Sequence, residues 1–235
     1  MHIESENVER DFRTIRLDLR FKLGTVNCYL LKVAAGYILI DTGGTNNRNI
    51  LEKKLKQAGC KPGNLKLIIL SHGDFDHIGN AAYLRRKYGS KIAMHPQDFG
   101  MIEKGDMFWG RKKPNLFIRT AARLLFNLSP TDRIRPDISL HDGDDLSIYG
   151  LAAKIIHLPG HSSGSIGILT PQGDLFCGDL FENSKRPVLN SIMDDVNEAY
   201  SSVEKLHGLK ARIVYPGHGN EFPLEQYLVG FQTSA

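Results

Sequence analysis

Four short segments constrain the fold of this chain most strongly, because each places a histidine or an aspartate at a glycine-containing turn after a predicted strand. The segments are residues 71–77 (SHGDFDH), 159–164 (PGHSSG), 178–179 (GD) and 216–219 (PGHG). Loops at strand ends let side chains converge without disrupting the strand hydrogen bonds. Together the segments supply four imidazoles and three carboxylates, enough to bind two metal ions and leave positions open for water and substrate.

A single histidine in a turn is usually structural or exposed to solvent, and this ordinary role is expected for the other histidines of the chain. These are His2, His95, His141, His157 and His207. The histidines of the four segments differ, because the same arrangement recurs at one strand end after another. We therefore predict a set of metal ligands made of His72, Asp74, Asp76, His77, His161, Asp179 and His218.

Hydrophobic patterning predicts two strand-rich halves within a single domain, residues 1–235. In the first half we predict strands at 26–33, 37–40, 67–70 and 91–94, and helices at 46–58 and 80–88. In the second half we predict strands at 146–149, 153–158, 165–170, 174–177 and 211–215, and helices at 197–207 and 225–230. Two such halves indicate an α/β (α+β) protein in which two sheets pack face to face with helices outside.

A segment between the halves, residues 97–136, is predicted to be a basic helical insert. It contains two helical patterns, and the second, over residues 115–128, places its apolar residues on one face. From Phe108 to Leu128 there are five basic residues and no acidic one. The insert could line an acyl pocket and hold an anionic group, or it could be an ordinary packing helix with solvated charges.

Composition excludes few classes of protein. The formal net charge of +4 is too small to predict nucleic-acid binding. Residues 1–20 contain no apolar signal region and no run is long enough to span a membrane, so a cytoplasmic protein is expected. Cys28, Cys60 and Cys177 are widely spaced and odd in number, which favours buried thiols over a disulfide framework.

The four segments resemble the motif series of the metallo-β-lactamase superfamily, in which His-x-His-x-Asp-His is followed by a distant His, Asp and His. Residues 40–43 (IDTG) also resemble an early motif of that family, whose aspartate supports the metal loops. The matching motifs run from Ile40 to Gly219, most of the chain. The resemblance implies a four-layer αββα sandwich of two mixed sheets flanked by helices, and a metal-dependent hydrolase.

The resemblance also implies how the ligands are divided between the two metal ions. One ion would be bound by His72, position 74 and His161, and the other by Asp76, His77 and His218. Asp179 would bridge the two ions, together with a water or hydroxide. Asp76 and Asp179 are accordingly expected to be catalytic as well as metal-binding.

Asp74 departs from the family pattern, which usually has histidine at this position. Two divalent ions and three aspartates leave a formal charge of 4 − 3 = +1, where the usual set leaves +2. We therefore expect a less acidic bound water and, beside the zinc usual in the family, tolerance for iron or manganese. The flavodiiron branch, which has a carboxylate here and uses iron, points the same way. Alternatively, the first site is weakly occupied and the enzyme is functionally mononuclear.

The shared motifs leave the substrate open. The leading hypothesis is hydrolysis of a small ester, lactone or thioester by a metal-bridging hydroxide. The alternatives are a phosphodiesterase or nuclease, and an iron-dependent oxidoreductase resembling persulfide dioxygenases. We expect a small-molecule substrate that is anionic or acyl-bearing, with no nucleic-acid partner, and leave open a homodimer. Residues expected near the substrate are Trp109, Asn183 and Lys185.

Overall fold

Two six-stranded β-sheets form the centre of the computed structural model, which describes residues 12–18, 24–111, 120 and 128–227. In the first sheet the strands lie side by side in chain order. They are β1 (Phe12–Asp18), β2 (Thr25–Val33), β3 (Gly36–Ile40), β4 (Leu65–Ile69), β5 (Lys91–Met94) and β6 (Ile138–Ser139). β1 to β3 pair antiparallel, whereas β3 to β6 pair parallel. The carboxyl ends of β3, β4 and β5 therefore lie at the same edge of the sheet.

The second sheet is built from the second half of the chain. Its strands are β7 (Lys154–His157), β8 (Ile166–Leu169), β9 (Asp174–Asn183), β10 (Val188–Leu189), β11 (Ile213–Gly219) and β12 (Phe222–Pro223). The order across the sheet is β12-β11-β9-β8-β7, with β10 paired to β9. β9 and β11 are parallel, so the ends of both strands approach the metal-ligand loops from the same side.

Alternation of apolar residues along the strands explains the layers. Ile38 and Ile40 of β3 belong to the buried cluster between the two sheets, and Phe176 and Tyr215 of the second sheet lie in the same cluster. Leu39 points the opposite way, into a cluster shared with the helices outside the first sheet. A third cluster packs the outer face of the second sheet against a helix. The result is the predicted αββα sandwich.

Five described helices cover the sheets or carry functional residues. They are α1 (Arg48–Gln57), α2 (Phe75–Ile78), α3 (Ala81–Tyr88), α4 (Phe99–Lys104) and α5 (Val196–His207). α1 and α3 bury Leu51, Leu55, Leu84 and Tyr88 against the first sheet, and α5 buries Val203 and Leu206 against the second. The predicted helices at 46–58, 80–88 and 197–207 are thus confirmed within one or two residues at most ends.

One predicted strand was wrong, one strand was missed, and one strand was predicted too short. Residues 146–149, predicted as a strand, form a 3-10 helix, because the Asp145 side chain caps the Ser147 N–H and Gly150 ends the turn at φ +82°. Strand β1 was missed because its charged residues hid the alternation that buries Ile15 and Leu17. β9 also extends to Asn183, six residues past its predicted end, with the result that Asp179 lies within a strand.

The insert could be checked only in part. α4 confirms the first of its helical patterns, whereas the second pattern, over 115–128, falls almost entirely on residues 112–119 and 121–127, outside the described residues. The end of the predicted helix at 225–230 also lies outside them. The single-domain organisation stays a prediction.

No helix in the described part of the chain is long and apolar enough to cross a membrane. The three cysteines are buried and free, as expected. Burial raises the pKa of the Cys60 thiol to about 11 and that of the Cys177 thiol to about 12. Thiols with such high pKa values are poor nucleophiles near neutral pH, and we assign them no chemical role.

Candidate metal centre

The loop after β4 carries four of the predicted ligands. His72 follows the strand directly, and α2 carries Asp76 and His77 on its single turn, with Asp74 at its N-terminal cap. All four side chains are buried. The Thr42 backbone N–H and hydroxyl both donate to the His77 carbonyl, at 2.7 and 2.8 Å, and thereby hold α2 against the end of β3.

Asp41, at the end of β3, orients two of the histidines. Its carboxylate accepts from the Ser71 N–H (2.8 Å), the Ser71 hydroxyl (2.7 Å) and His77 Nδ1 (2.8 Å). The Ser71 hydroxyl oxygen in turn lies 3.0 Å from His72 Nδ1. With Nδ1 engaged in both rings, each Nε2 is left to face the centre of the site. Asp41 is also the only described non-glycine residue with positive φ, at +59°.

The second sheet supplies the remaining ligands. Asp179 lies on β9, His218 lies on β11, and His161 lies in the loop between β7 and β8. His161 Nδ1 donates to the Ile192 carbonyl (2.6 Å), and His218 Nδ1 donates to the Thr25 carbonyl (2.7 Å). Each histidine therefore again presents Nε2 to the centre.

Gly217 shows how closely the two sheets meet here. A Cβ atom at this position would lie 2.1 Å from Asp179 Oδ1 and 2.7 Å from His77 Cε1. Only glycine fits, which gives the Pro-Gly-His turn before His218 a steric reason.

The ligands fall into two groups joined by Asp179. Within each group, one ligand atom from every residue lies within 4.8 Å of the others; the groups are His72, His161 and Asp179, the first site, and Asp76, His77 and His218, the second site. Asp179 also approaches the second site, with Oδ1 at 3.3 Å from His77 Nε2 and Oδ2 at 3.1 Å from His218 Nε2. A carboxylate in contact with both groups is suited to bridge two ions.

Several buried atoms of the centre have no hydrogen-bond partner. They are His72 Nε2, His77 Nε2 and Asp179 Oδ1. A buried polar atom without a partner typically costs about 1–3 kcal/mol. Metal ions would satisfy all three atoms, and the imidazole and carboxylate donors are those that zinc, iron and manganese accept. The residues present therefore fit a two-metal centre.

The charges of the centre compensate one another. Burial raises the pKa of Asp179, but the His218 and His77 imidazoles outweigh burial and hold that pKa well below its usual range. Burial lowers the pKa of His218, but Asp179 outweighs it and raises the pKa to about 9. Burial and the neighbouring His77 lower the pKa of His72. A bound cation would replace the protons that these imidazoles share with the carboxylates.

Asp74 lies at the edge of the first site. Its Oδ2 is 3.0 Å from His161 Nε2 and 3.7 Å from His72 Nε2, whereas its Oδ1 is 2.5 Å from Arg111 Nη1. Burial raises the pKa of Asp74, but Arg111 together with His161 and His72 holds it well below its usual range. Asp74 is therefore an ionised candidate ligand with one oxygen toward the site.

Three polar residues that support the centre were not identified from the sequence. Asp98 joins two ligand loops by accepting from the Gly73 N–H (3.0 Å), the Ser162 hydroxyl (2.6 Å) and the Gly164 N–H (2.9 Å). Asn190 donates to Asp179 Oδ2 at 3.2 Å, and Asp194 lies 2.7 Å from Arg111 Nε. No local motif marks any of them.

The residues expected near the substrate lie apart from the metal-facing atoms. Trp109 is 47% exposed and its indole packs on Gly100 of α4, with Lys104 Nζ 6.0 Å from the ring centroid. Asn183 ends β9, and its carbonyl accepts from the Asn220 N–H at 2.9 Å, beside the turn that carries His218. Lys185 is exposed. Their role in substrate binding stays a prediction.

Comparison with known proteins agrees with the motifs and the geometry. The family model described as "Metallo-beta-lactamase superfamily" matches residues 22–218. The chain is 26% identical over 195 residues to the Beta-lactamase-like protein 2 homolog of Drosophila melanogaster, a match covering 83% of the chain and 58% of that protein. It is 32% identical over 144 residues to the hydroxyacylglutathione hydrolase GloC of Haemophilus influenzae, covering 60% of the chain and 59% of that protein. The chain thus matches under three fifths of the length of these two relatives.

Solved structures show the same fold. The metallo-beta-lactamase family protein TTHA1429 from Thermus thermophilus is similar with a TM-score of 0.70 and 24% identity, over 95% of this chain and 80% of that chain. The structure of TTHA1623 in a di-iron-bound form is similar with a TM-score of 0.69 and 25% identity, over 91% and 96% of the two chains.

Proposed function

The chain belongs to the metallo-beta-lactamase superfamily, and from this premise we propose that it is a metal-dependent hydrolase of a small ester, lactone or thioester. The observation that carries the proposal is the convergence of two ligand groups on Asp179, with buried ring nitrogens and a carboxylate oxygen left without hydrogen-bond partners. Such a centre is costly for a protein to keep unless it binds cations.

In this proposal His72, His161 and Asp179, with Asp74, hold the first metal ion, and Asp76, His77 and His218 hold the second. Two divalent ions so placed lower the pKa of a shared water molecule and polarise the carbonyl of the substrate. The chain's own contribution is to orient the donors. Asp41 and Ser71 fix the rings of His77 and His72, while backbone carbonyls fix those of His161 and His218.

Asp76 and Asp179 are the two carboxylates that we assign to the reaction. Both face the same imidazole, with Asp76 Oδ2 at 3.5 Å and Asp179 Oδ2 at 3.1 Å from His218 Nε2. Asn190 donates to Asp179 Oδ2 and so limits the rotation of this carboxylate. A carboxylate held in one orientation between the two ligand groups can accept a hydrogen bond from the attacking water in a fixed direction.

The proposed substrate class is supported by the relative GloC, a hydroxyacylglutathione hydrolase. We extend to this chain only the chemical class, an acyl compound with a hydrolysable carbonyl, and propose that Trp109, Asn183 and Lys185 contribute to its binding.

A second candidate is iron-dependent oxidation resembling that of persulfide dioxygenases. Two observations favour it: Asp74 adds a carboxylate to the ligands of the first site, and the similar structure of TTHA1623 is a di-iron form. Iron and manganese accept oxygen ligands readily, and we therefore propose that either can replace zinc here.

A substrate panel tests the proposal. Purified protein is loaded with zinc, manganese or iron and assayed with p-nitrophenyl esters, lactones, thioesters and bis-p-nitrophenyl phosphate, and oxygen uptake is followed with glutathione persulfide. We expect carbonyl compounds to be hydrolysed fastest. Preferential turnover of the phosphodiester would overturn the proposed class in favour of the phosphodiesterase alternative, and oxygen consumption would favour the iron enzyme.

The ligand assignment has its own test in His77→Ala, matched with His207→Ala at the end of α5. The first variant removes a proposed ligand of the second metal ion, on which the proposed hydrolysis depends. It should therefore lower kcat/KM at least about 1,000-fold while the fold is retained. The second should retain wild-type activity. Full activity in His77→Ala would refute the assignment.

A further inference from the structure

Arg111 is a buried cation that the proposed hydrolysis does not by itself explain. Its side chain is only 6% exposed. The guanidinium lies 2.5 Å from Asp74 Oδ1 and 2.7 Å from Asp194 Oδ2, and it donates to the carbonyl of His161 at 3.2 Å. Removing a guanidinium from water costs free energy that its two carboxylate partners must offset. A side chain this deeply buried is not a solvated surface charge.

The two oxygens of Asp74 face different partners. Oδ1 is taken by Arg111, whereas Oδ2 faces His161 Nε2 at 3.0 Å and His72 Nε2 at 3.7 Å. A free carboxylate can bind a metal ion through one or both oxygens. With Oδ1 held by the guanidinium, only Oδ2 remains for the first site.

We propose that Arg111 is a positioning residue that makes Asp74 a one-oxygen ligand of the first metal ion, an inference that rests on the proposed function. A one-oxygen carboxylate offers a single donor atom, as does the imidazole that the family usually has at this position. The Arg111 guanidinium also compensates part of the negative charge of Asp74. The carboxylate is therefore a weaker electron-pair donor to the metal ion. The Asp74–Arg111 pair then stands where the usual site has one histidine.

Asp194 completes the arrangement. A guanidinium next to a divalent ion would be repelled by it, and in a buried site this repulsion is poorly screened. Asp194, 28% exposed, lies near Arg111 Nε, whereas Asp74 lies near Nη1, and Asp194 supplies the compensating charge. The loop that carries Asp194 also carries Asn190 and the Ile192 carbonyl, which contact Asp179 and His161 of the same site.

The first test compares metal binding by wild type, Arg111→Met and Arg111→Lys. Each protein is titrated with zinc against a chromophoric chelator, and the metal content is measured by mass spectrometry after dialysis. Loss of a residue that orients a ligand typically lowers metal affinity about 10–100-fold, so one of two zinc ions in Arg111→Met should bind that much more weakly. Lysine has one ammonium group and cannot contact Asp74, Asp194 and the His161 carbonyl through separate nitrogens as Arg111 does, so it should restore the affinity only in part.

A matched control is Arg85→Met, which removes an arginine paired with Asp137 at 2.6 Å outside the metal centre. It should bind two zinc ions with wild-type affinity. Should Arg111→Met fail to fold, as judged by circular dichroism, Arg111→Lys decides. An affinity in the lysine variant equal to that of wild type would then overturn the proposal.

The decisive measurement is rescue by Asp74→His in the Arg111→Met background. Histidine has one donor atom and no charge to be shared, so Arg111 becomes dispensable and the double variant should regain the affinity lost in the single variant. A merely structural role of Arg111 predicts no such rescue. The same proteins can be prepared with cobalt in place of zinc. The visible absorption of cobalt depends on its ligand atoms, so the spectrum shows whether the ligands of the first site change in Arg111→Met and are restored in the double variant.

The outcomes separate this inference from the proposed function. Two zinc ions bound equally tightly by Arg111→Met and wild type would overturn the role of Arg111 and leave the hydrolase proposal in place. Two ions in wild type, with weakened binding in Arg111→Met and rescue by Asp74→His, would support the role even if no compound of the panel were hydrolysed.

Discussion

At the second site, both histidines are fixed by strands of the first sheet. Asp41 at the end of β3 accepts from His77 Nδ1, and the Thr25 carbonyl at the start of β2 accepts from His218 Nδ1. The first site shares the Asp41 support through Ser71 and His72, but its other ligands depend on loops and on the insert. His161 is held by the Ile192 carbonyl, and Asp179 and Asp74 are held by Asn190 and Arg111.

This difference indicates which part of the centre can change without loss of the fold. The supports of the second site belong to buried strands, so altering them disturbs packing as well as metal binding. The supports of the first site lie in residues 190–194 and in the insert, outside the packed strands of the two sheets. We infer that metal preference is set mainly at the first site.

The largest effect is expected from Asp41→Asn. Asparagine tolerates the positive φ at this position, so the backbone is kept. The amide has only one acceptor oxygen, so its NH2 group must face either the Ser71 N–H or the Ser71 hydroxyl and His77 Nδ1. We expect metal affinity at the second site to fall about 10–100-fold, and affinity at the first site to fall less, because Asp41 reaches His72 only through Ser71. The free energy of unfolding should fall by about 1–3 kcal/mol. Metal titration and urea unfolding measure the two effects.

Asp142→Asn is the control for that variant, because Asp142 is an exposed aspartate paired with Lys205 and does not belong to the predicted ligand set. It should change neither quantity appreciably. Wild-type metal affinity in Asp41→Asn would contradict the role given to the strand end.

An intermediate effect is expected from Asn190→Ala, which sharpens the contrast between the sites. The substitution removes the donor to Asp179 Oδ2 and the acceptor of the Ile192 N–H. Affinity at the first site should fall about 10-fold, because this site loses the support of both Asp179 and, through Ile192, His161. The second site, which shares only Asp179, should be weakened less, and the free energy of unfolding should fall by about 1 kcal/mol. The contrast between the two sites would be contradicted if the metal titration showed both sites weakened equally in Asn190→Ala. It would also be contradicted if urea unfolding showed a loss of stability as large as in Asp41→Asn.

The smallest effect is expected at His95 and His157, two stacked histidines outside the predicted ligand set. His157 Nε2 donates to the Ser163 carbonyl at 2.8 Å, and the His157 ring stacks on buried His95 with centroids 4.3 Å apart. Burial, with the nearby His157 and His141, lowers the pKa of His95 to about 4. The unfolded chain therefore takes up a proton near pH 6.5 that the folded chain refuses until about pH 4.

Stability should accordingly fall as the pH drops from about 6.5 to about 4, and His95 should account for about 2 kcal/mol of that fall at pH 4.5. His95→Phe keeps an aromatic ring against His157 but cannot titrate, so its free energy of unfolding should fall less. Urea unfolding at pH 7.5 and 4.5, in excess chelator, compares the two proteins. Parallel pH dependence in wild type and variant would refute the assignment.

Much of the fold and the ligand set followed from local patterns. The glycine turns after β4 and β7 and around β11 could be recognised because strand periodicity and turn chemistry extend over only a few residues. The structure brings all seven predicted ligands, including Asp74, into one cluster in which His218 alone of the seven is partly exposed. The αββα layers followed from the same alternation, which sends Ile38 and Leu39 to opposite faces of the sheet.

The supports of the first site could not be predicted because they are contacts between residues distant in sequence. Arg111 reaches Asp74 across 37 positions, and His161 reaches Asp74 across 87. Neither contact leaves a periodic signal, and Arg111 was one of several basic residues of the insert that could equally have been solvated. Sequence patterns predicted which side chains converge at the candidate metal centre, whereas the side chains that orient them required the tertiary structure.

The bond from His218 to the Thr25 carbonyl also bears on how the protein acquires its metal. The two residues are 193 positions apart, so this contact forms only after β2 of the first sheet and β11 of the second sheet have met. Contacts between such distant residues form late, because the chain must first lose the entropy of the long intervening loop. A ribosome-bound chain lacking β11 lacks His218, so we expect the proposed second site to take up its metal ion only after this strand has been synthesised and folded.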